Sequence, residues 1–423
     1  MSDSQTSTLV ETSVNPAEVA TGVSTVAPSS GGATKSLDKD TTDVANATNV
    51  EMTHRTEKSQ CAAKSKCSQE DGEEQVFRKV WKQFKRTKLE VTAYVQAMDA
   101  DRLDPSLDPN SDAGSQSRKR KRAEEEGQEA QQQKVDLLDF ENLHNSPQWL
   151  LDLVTEIPIP QESNHGEGSE ENATKNNEDA KDFRIRKAYG IQGRPGFIFV
   201  PNPFVSVEAE AKWAHRLAVD YPSADFSERN MTQQGMQSAL DNRLRWATLG
   251  YHYDWDNRKY TEERKSPFPE DLANLSKQLI KPFGMDLVPE TAIINYYRSS
   301  TTMGGHKDDA EWTDDAPVVS ISFGNAGVYV LGGDDQKDAG PPPPVPLIIR
   351  NGDVVILGGP SRMNIHGVPC MLRDTMPSRL AQTLPRPVAQ YLQTGRINVN
   401  VRQVNPSAKI AELALAALRR VAK

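Results

Sequence analysis

Cysteine is scarce in this chain: Cys61, Cys67 and Cys370 are the three among 423 residues. So few thiols argue against a disulfide framework and fit a reducing compartment. Long apolar runs are missing too, and nothing approaches the ~20 residues of a membrane-spanning helix. The opening Met1-Ser-Asp-Ser-Gln-Thr has neither a basic stretch nor an apolar core, so no secretory leader is expected. The arginines of a mitochondrial presequence are absent as well. The chain is therefore expected in the nucleus, the cytoplasm or both, neither secreted nor in a membrane. Aromatic residues are 6% and hydrophobic residues 36%, with a mean hydropathy of -0.66, all low for a compact globule.

The deficit is uneven. Residues 1–72 are Ser, Thr, Ala, Asp and Lys with almost no aromatic side chains. They cannot bury enough apolar surface to offset the entropy of ordering, and a disordered tail is expected. Residues 100–132 (a basic then acidic linker) and 159–183 (an acidic linker) read the same way. Between them, residues 73–99 place Val76, Phe77, Val80, Trp81 and Phe84 at helical spacing, with Lys and Arg on the other face. This predicts a basic amphipathic helix. Its apolar face would dock on the main domain, and the competing role is direct contact with nucleic acid or membrane. Residues 133–158 read as a helical extension, 184–405 as a sustained globular domain, and 406–423 as a closing helix. The basic run Arg118 to Arg122 matches a nuclear-import signal or a phosphate-binding patch. Net charge is -9, yet residues 184–405 hold 25 basic against 24 acidic side chains. Total charge therefore does not decide whether a polyanion binds; local patches do.

Within 184–405 the helical patterns come first, at Ser206 to Val219 and around Leu272, Leu275 and Leu279. Strand patterns then dominate: Thr291 to Tyr297, Val318 to Phe323, Gly327 to Leu331, Leu347 to Arg350, Val354 to Leu357 and Ile397 to Arg402. This order predicts an α+β fold with a double-stranded β-helix (jelly-roll) core buttressed by helices. Asn351-Gly352 reads as a hairpin turn between two of the strands.

One constellation carries chemistry. His306 and Asp308 form a His-x-Asp pair, and His366 follows about 60 residues later. Two imidazoles and a carboxylate make the facial triad of non-haem Fe(II) oxygenases, which leaves coordination positions open for a co-substrate and dioxygen. The last strand supports it. Arg396, Asn398, Asn400 and Arg402 alternate with Ile397, Val399 and Val401, so period two puts the polar set on one face. If that face looks into a barrel, two guanidiniums need anionic partners, and a dicarboxylate supplies them through bidentate forks. Asn295 and Tyr297 share a face of an earlier strand.

The succession Asn-x-Tyr, His-x-Asp, Gly-Asp before a strand, His, then Arg-x-Asn-x-x-x-Arg resembles the AlkB family of Fe(II)/2-oxoglutarate dioxygenases over roughly residues 190–405. Four segments are similar to its eukaryotic homologue 1 branch: Gly196-Phe-Ile-Phe-Val-Pro-Asn-Pro, Leu244-Arg-Trp-Ala-Thr-Leu-Gly-Tyr-His-Tyr-Asp-Trp, Gly304-Gly-His-Lys-Asp-Asp-Ala-Glu and Ser361-Arg-Met-Asn-Ile-His-Gly. The resemblance implies that His306, Asp308 and His366 bind Fe(II). It implies that Arg396, Tyr297 and Asn295 hold the distal carboxylate of 2-oxoglutarate, and that Asn398 and Arg402 orient its metal-proximal end. Arg245, Trp246 and Tyr253 would meet a nucleotide, with Glu311 and Arg362 against substrate or product. The bacterial repair enzymes carry Asp where this chain has Ala310, which puts their adenine contact in doubt here. The implied activity is oxidative demethylation of N6-methyladenine in DNA or N1-methyladenine in tRNA, with O2 consumed and formaldehyde, succinate and CO2 released. The expected partner is DNA or tRNA, histones are a further candidate, and the protein is expected to be monomeric. A protein-directed oxygenase on the same fold and an inert nuclear scaffold are the alternatives.

Overall fold

The computed structural model describes residues 74–103, 136–160, 182–231, 240–298, 300–333 and 343–412, all within the compact unit Cys61–Lys423. The expectations for residues 1–72, for most of 100–132 and 159–183, for the run Arg118 to Arg122 and for the end of the closing helix lie outside these residues.

The basic amphipathic segment forms α1 (residues 74–86) and, after a pause at Thr87, α2 (Lys88–Met98). The next strands are β1 (Val154–Glu156), β2 (Tyr189–Ile191) and β3 (Arg194–Val200), followed by α3 (Val207–His215). Ser206 caps α3, its hydroxyl accepting from the Ala209 N–H at 3.2 Å. Beyond His215 the helix widens into a π-helical stretch, Arg216–Asp220. Then come β4 (Glu228–Arg229), β5 (Trp246–Gly250), α4 (Glu270–Ile280), β6 (Thr291–Arg298) and β7 (Met303–His306). The chain continues through β8 (Val318–Gly324), β9 (Gly327–Leu331), β10 (Val345–Ile349), β11 (Val354–Leu357) and β12 (His366–Met371). Helices α5 (Ser378–Thr383) and α6 (Arg386–Gln393) precede β13 (Gly395–Arg402), and a helix is under way from residue 407.

Among the described residues the strands form a nine-stranded sheet, β1-β2-β3-β11-β8-β13-β6-β5-β4, and a four-stranded sheet, β10-β9-β12-β7. Period-two alternation builds the layers. Ile198 and Val200 of β3 face a core shared with Trp213 of α3, Leu275 of α4 and Leu392 of α6, while Phe197 and Phe199 face Leu331 and Leu347 of the smaller sheet. The smaller sheet's outer face is covered by Phe77, Phe84, Val91 and Val95 of α1 and α2. Arg350 locks this covering down. Its Nη1 and Nη2 donate to the two oxygens of Asp139 at 2.7 and 2.8 Å, and its Nε donates to Asp99 at 2.7 Å, all three residues being buried. Pairing this full offsets the cost of burying the guanidinium.

Two expectations are corrected. Asn351-Gly352 does not close a hairpin: β10 pairs with β9 in the small sheet, whereas β11 pairs with β3 and β8 in the large one. The turn carries the chain between sheets. Gly352 has φ +84°, and a Cβ there would lie 2.4 Å from the Asn202 side chain. A Gly-containing turn signals reversal, and which sheet receives the next strand is decided by its partners. Residues 133–158 are also not purely helical. After a short helix, Gln148–Leu151, β1 extends the large sheet by pairing with β2 and satisfying its open edge.

Candidate active site

His306 ends β7 and His366 begins β12, and the register sets them opposite one another. Their ring centroids are 4.4 Å apart. Asp308, two residues beyond β7, brings Oδ1 to 3.8 Å from His306 Nε2 and Oδ2 to 3.7 Å from His366 Nε2. One ligand atom from each of the three can be chosen within 4.8 Å of the others. Both imidazoles are set for metal by the same device. His306 Nδ1 lies 3.0 Å from the Gly304 carbonyl and His366 Nδ1 lies 3.1 Å from the Asn364 carbonyl. Donation by Nδ1–H fixes the tautomer and leaves the Nε2 lone pair facing Asp308.

Close backbone approach makes this possible. A Cβ at Gly367 would lie 2.9 Å from the Gly304 oxygen, and one at Gly305 would lie 2.5 Å from the Phe77 ring. Phe77 thus packs directly on the strand that presents His306. Trp81, one turn on, donates its indole N–H to the Met303 carbonyl at 2.9 Å. Strand β7 is the edge of its sheet, and α1 takes up part of that edge.

The triad opens on a cleft lined by Asn295, Tyr297, Tyr329, Arg396, Asn398 and Asn400 along with the three ligands. The inward-facing alternative for β13 therefore holds, with Ile397, Val399 and Val401 packed on the helical side. Arg396 is 2% exposed. Its Nη2 donates to Ser322 Oγ at 2.8 Å, while Nε and Nη1 meet no hydrogen-bond acceptor among the described residues. Its guanidinium stands 5.0 Å over the Tyr297 ring, and burial lowers its pKa. A buried cation short of acceptors is a site for an anion. Asn398 spends its amide donor on Ser320 Oγ at 2.8 Å and the Ile321 carbonyl at 3.1 Å.

Arg402 does not line the cleft. Its Nη2 donates to Asp308 Oδ1 at 2.8 Å and its Nη1 to Glu311 Oε1 at 3.2 Å. Placed at the metal-proximal end of the co-substrate by expectation, it is engaged by carboxylates of the chain itself. Glu311 and Arg362, expected against substrate, are buried: their side chains are 1% and 2% exposed and bond one another at 2.9 Å. Both polar ends are consumed by protein, so neither offers a free group to a ligand.

Charge balance follows from these contacts. Burial pushes the Asp308 carboxyl up, but Arg402, the two imidazoles and Arg362 outweigh it and hold the group well below the usual carboxylate range. Burial, reinforced by His306, brings His366 down to about 4. Both therefore stand at neutral pH in the forms that ligate metal, carboxylate and neutral imidazole.

At the mouth, Trp246 of β5 sits directly across from Asn295. Trp255, 44% exposed, lies 5.2 Å from Trp246 and 4.8 Å from Tyr253, which in turn lies 5.2 Å from Tyr260. Arg245 is exposed, with Nη1 3.3 Å from Thr301 Oγ1. Trp255, Tyr260, Tyr329 and the pair Phe77 and Trp81 were not among the expected site residues. The density of aromatics from 246 to 260 was the available signal for the first two. Nothing local marked the others.

The family model of the 2OG-Fe(II) oxygenase superfamily matches residues 196–402. The chain is 32% identical over 183 residues to the N6-methyladenosine RNA demethylase ALKBH of Cryphonectria parasitica, a match that covers 40% of this chain and 79% of that one. The chain belongs to the 2OG-Fe(II) oxygenase superfamily. It is 34% identical over 263 residues to the mouse nucleic acid dioxygenase ALKBH1, covering 52% of this chain and 66% of that one. It is 35% identical over 172 residues to the tRNA demethylase abh1 of Schizosaccharomyces pombe, covering 40% and 55%. The chain thus spans just under two thirds of the mouse relative. The superfamily's cofactors are Fe(II), 2-oxoglutarate and O2. The donor set fits them: two Nε2 atoms and one carboxylate suit Fe(II), and the unsatisfied Nε and Nη1 of Arg396 suit a carboxylate of 2-oxoglutarate.

Proposed function

We propose that this protein is an oxidative demethylase of methylated nucleobases, acting on N6-methyladenine in DNA or N1-methyladenine in tRNA. One observation carries the reading. The triad and the acceptor-poor Arg396 share a single cleft, and half-buried Trp246, in register with the cleft residue Asn295, packs against exposed Trp255.

His306, Asp308 and His366 would hold the iron, and Arg396, with Asn295 and Tyr297 beside it, would hold the far carboxylate of 2-oxoglutarate. When bound, iron and co-substrate supply the oxidation of a methyl C–H by dioxygen, coupled to decarboxylation of 2-oxoglutarate to succinate. A hydroxymethyl on nitrogen then leaves as formaldehyde. The protein's own share is to orient and to exclude water. A base must leave its stack to reach this depth. Trp246, Trp255 and Tyr253 give it a surface on which to stack, and Arg245 stands by for a phosphate. On the β7 side, α1 offers exposed Arg78, Lys79, Lys82, Lys85 and Arg86, a suitable track for a polyanion.

The test is release of succinate and formaldehyde by the full chain with Fe(II) and 2-oxoglutarate. Substrates are N6-methyladenine DNA, an N1-methyladenine tRNA stem-loop and a methylated histone peptide, run in parallel. Coupled turnover on a nucleic acid is expected. Turnover on the peptide alone would replace this reading with a protein-directed oxygenase.

A further inference from the structure

We propose that Glu311 is a positioning residue for the metal: it joins two buried guanidiniums so that one of them holds Asp308 in its ligating pose. The inference rests on the iron-site reading and not on the choice of substrate.

Glu311 accepts at both oxygens. Oε2 takes Arg362 Nη2 at 2.9 Å, and Oε1 takes Arg402 Nη1 at 3.2 Å together with the Tyr260 hydroxyl at 3.1 Å. Each arginine also reaches the metal ligand. Arg402 Nη2 donates to Asp308 Oδ1 at 2.8 Å, and Arg362 Nη1 donates to the Asp308 backbone carbonyl. The result is a closed circuit running from the Asp308 side chain through Arg402, Glu311 and Arg362 back to the Asp308 main chain. Arg362 is further fixed by its Nε donating to the Ala316 carbonyl at 3.3 Å. Two consequences follow for a bound cation. Arg402 occupies Oδ1, which makes Oδ2 the more available ligand oxygen, on the side of His366 Nε2. Charge also balances. Asp308 and Glu311 offset Arg362 and Arg402. Without Glu311 the buried group becomes net positive beside a divalent ion, where low dielectric magnifies repulsion.

A residue that merely braced the fold would change melting temperature alone, and one that contacted substrate would change KM for the nucleic acid alone. The experiment is Mn(II) binding to the full chain, followed by the electron paramagnetic resonance of free Mn(II), without 2-oxoglutarate or nucleic acid. The Co(II) absorption spectrum is recorded in parallel. Glu311→Gln is expected to weaken Mn(II) binding by about tenfold or more and to alter the Co(II) bands. Should Glu311→Gln fail to fold, Tyr260→Phe removes one donor to the same carboxylate without changing charge. It should weaken Mn(II) by about two- to threefold, the effect of one lost neutral hydrogen bond partly relayed. Affinity within twofold of wild type in Glu311→Gln, or affinity unchanged in Tyr260→Phe where Glu311→Gln does not fold, overturns the proposal. Absence of Mn(II) binding in the wild type would overturn the iron-site reading together with it. Failure on every nucleic acid with normal Mn(II) binding would discard the substrate and leave Glu311's role standing.

Discussion

Replacing Lys79, Lys82, Lys85 and Arg86 with Gln removes four positive charges from the exposed side of α1 while leaving the anchors Phe77, Trp81 and Phe84 in place. The helix is held at its other face by buried rings and by the Trp81 bond to Met303, so it should stay docked. Surface substitutions of this kind cost about 0.5 kcal/mol or less each, and Lys85 gives up in addition its place 5.2 Å over the Trp81 ring. Along a helix rising ~1.5 Å per residue, Lys79, Lys82 and Arg86 stand at successive axial steps of about 4.5 and 6 Å, a spacing a flexible phosphate chain can follow. If all four cations meet phosphates of a single strand, each contributes about 0.7 to the log–log salt slope, about 2.8 in all. That corresponds to roughly a fiftyfold share of the affinity lost between about 50 and 200 mM salt. The assay is fluorescence anisotropy of a labelled single-stranded oligonucleotide, titrated at several salt concentrations. Wild type, the quadruple variant and a control, Lys277→Gln/Lys281→Gln near the end of α4, are compared. The control should keep the wild-type slope. A quadruple variant with the wild-type slope would refute the reasoning and leave α1 as a docking element only.

Arg396→Met should raise the KM for 2-oxoglutarate by on the order of a hundredfold, the usual cost of losing one side of a buried charge pair. Unchanged KM in substrate-free succinate formation would show that the co-substrate sits elsewhere. Gly305→Ala should lower the melting temperature through about 1–3 kcal/mol of overpacking against Phe77. Adding Phe77→Leu should restore part of the loss, and a melting curve that does not move on Gly305→Ala would place Phe77 away from β7. Burial pushes the Cys370 thiol up to about 11, and the thiol faces the Phe84 carbonyl at 3.6 Å. A folded pKa above the unfolded value of about 8.5 means stability present at lower pH is lost as pH climbs toward 11. In a Cys61→Ser/Cys67→Ser background, alkylation of Cys370 should keep accelerating up to about pH 11; a plateau near pH 9 contradicts the burial.

Much of the site was legible because its signals are local. His306 and Asp308 stand two residues apart, and an extended chain with side chains two apart on one face brings both toward the same cation. Arg396, Asn398 and Asn400 alternate with apolar residues for the same reason. Strand extents from 291 to 357 followed the β-branched runs, and α3 and α4 followed their helical spacing. What failed was relational. Glu311 and Arg362 looked like ligand-facing groups because they flank the triad in sequence, yet each finds the other through the fold. The turn at Asn351-Gly352 carried the right chemistry for reversal but the wrong destination.

The chain by itself therefore determined which residue types could serve iron and a dicarboxylate, and which side of β13 they share, because the geometry of a strand has a fixed period. Only the tertiary structure decided that this side faces a cleft, that Arg396 leaves Nε and Nη1 without acceptors while Arg402 gives both Nη groups to carboxylates of the chain, and that α1 leans on the strand of His306. Those outcomes depend on neighbours as remote as Phe77 and Gly305, whose meeting is set by how the sheets and helices pack against one another, and no local repeat encodes it.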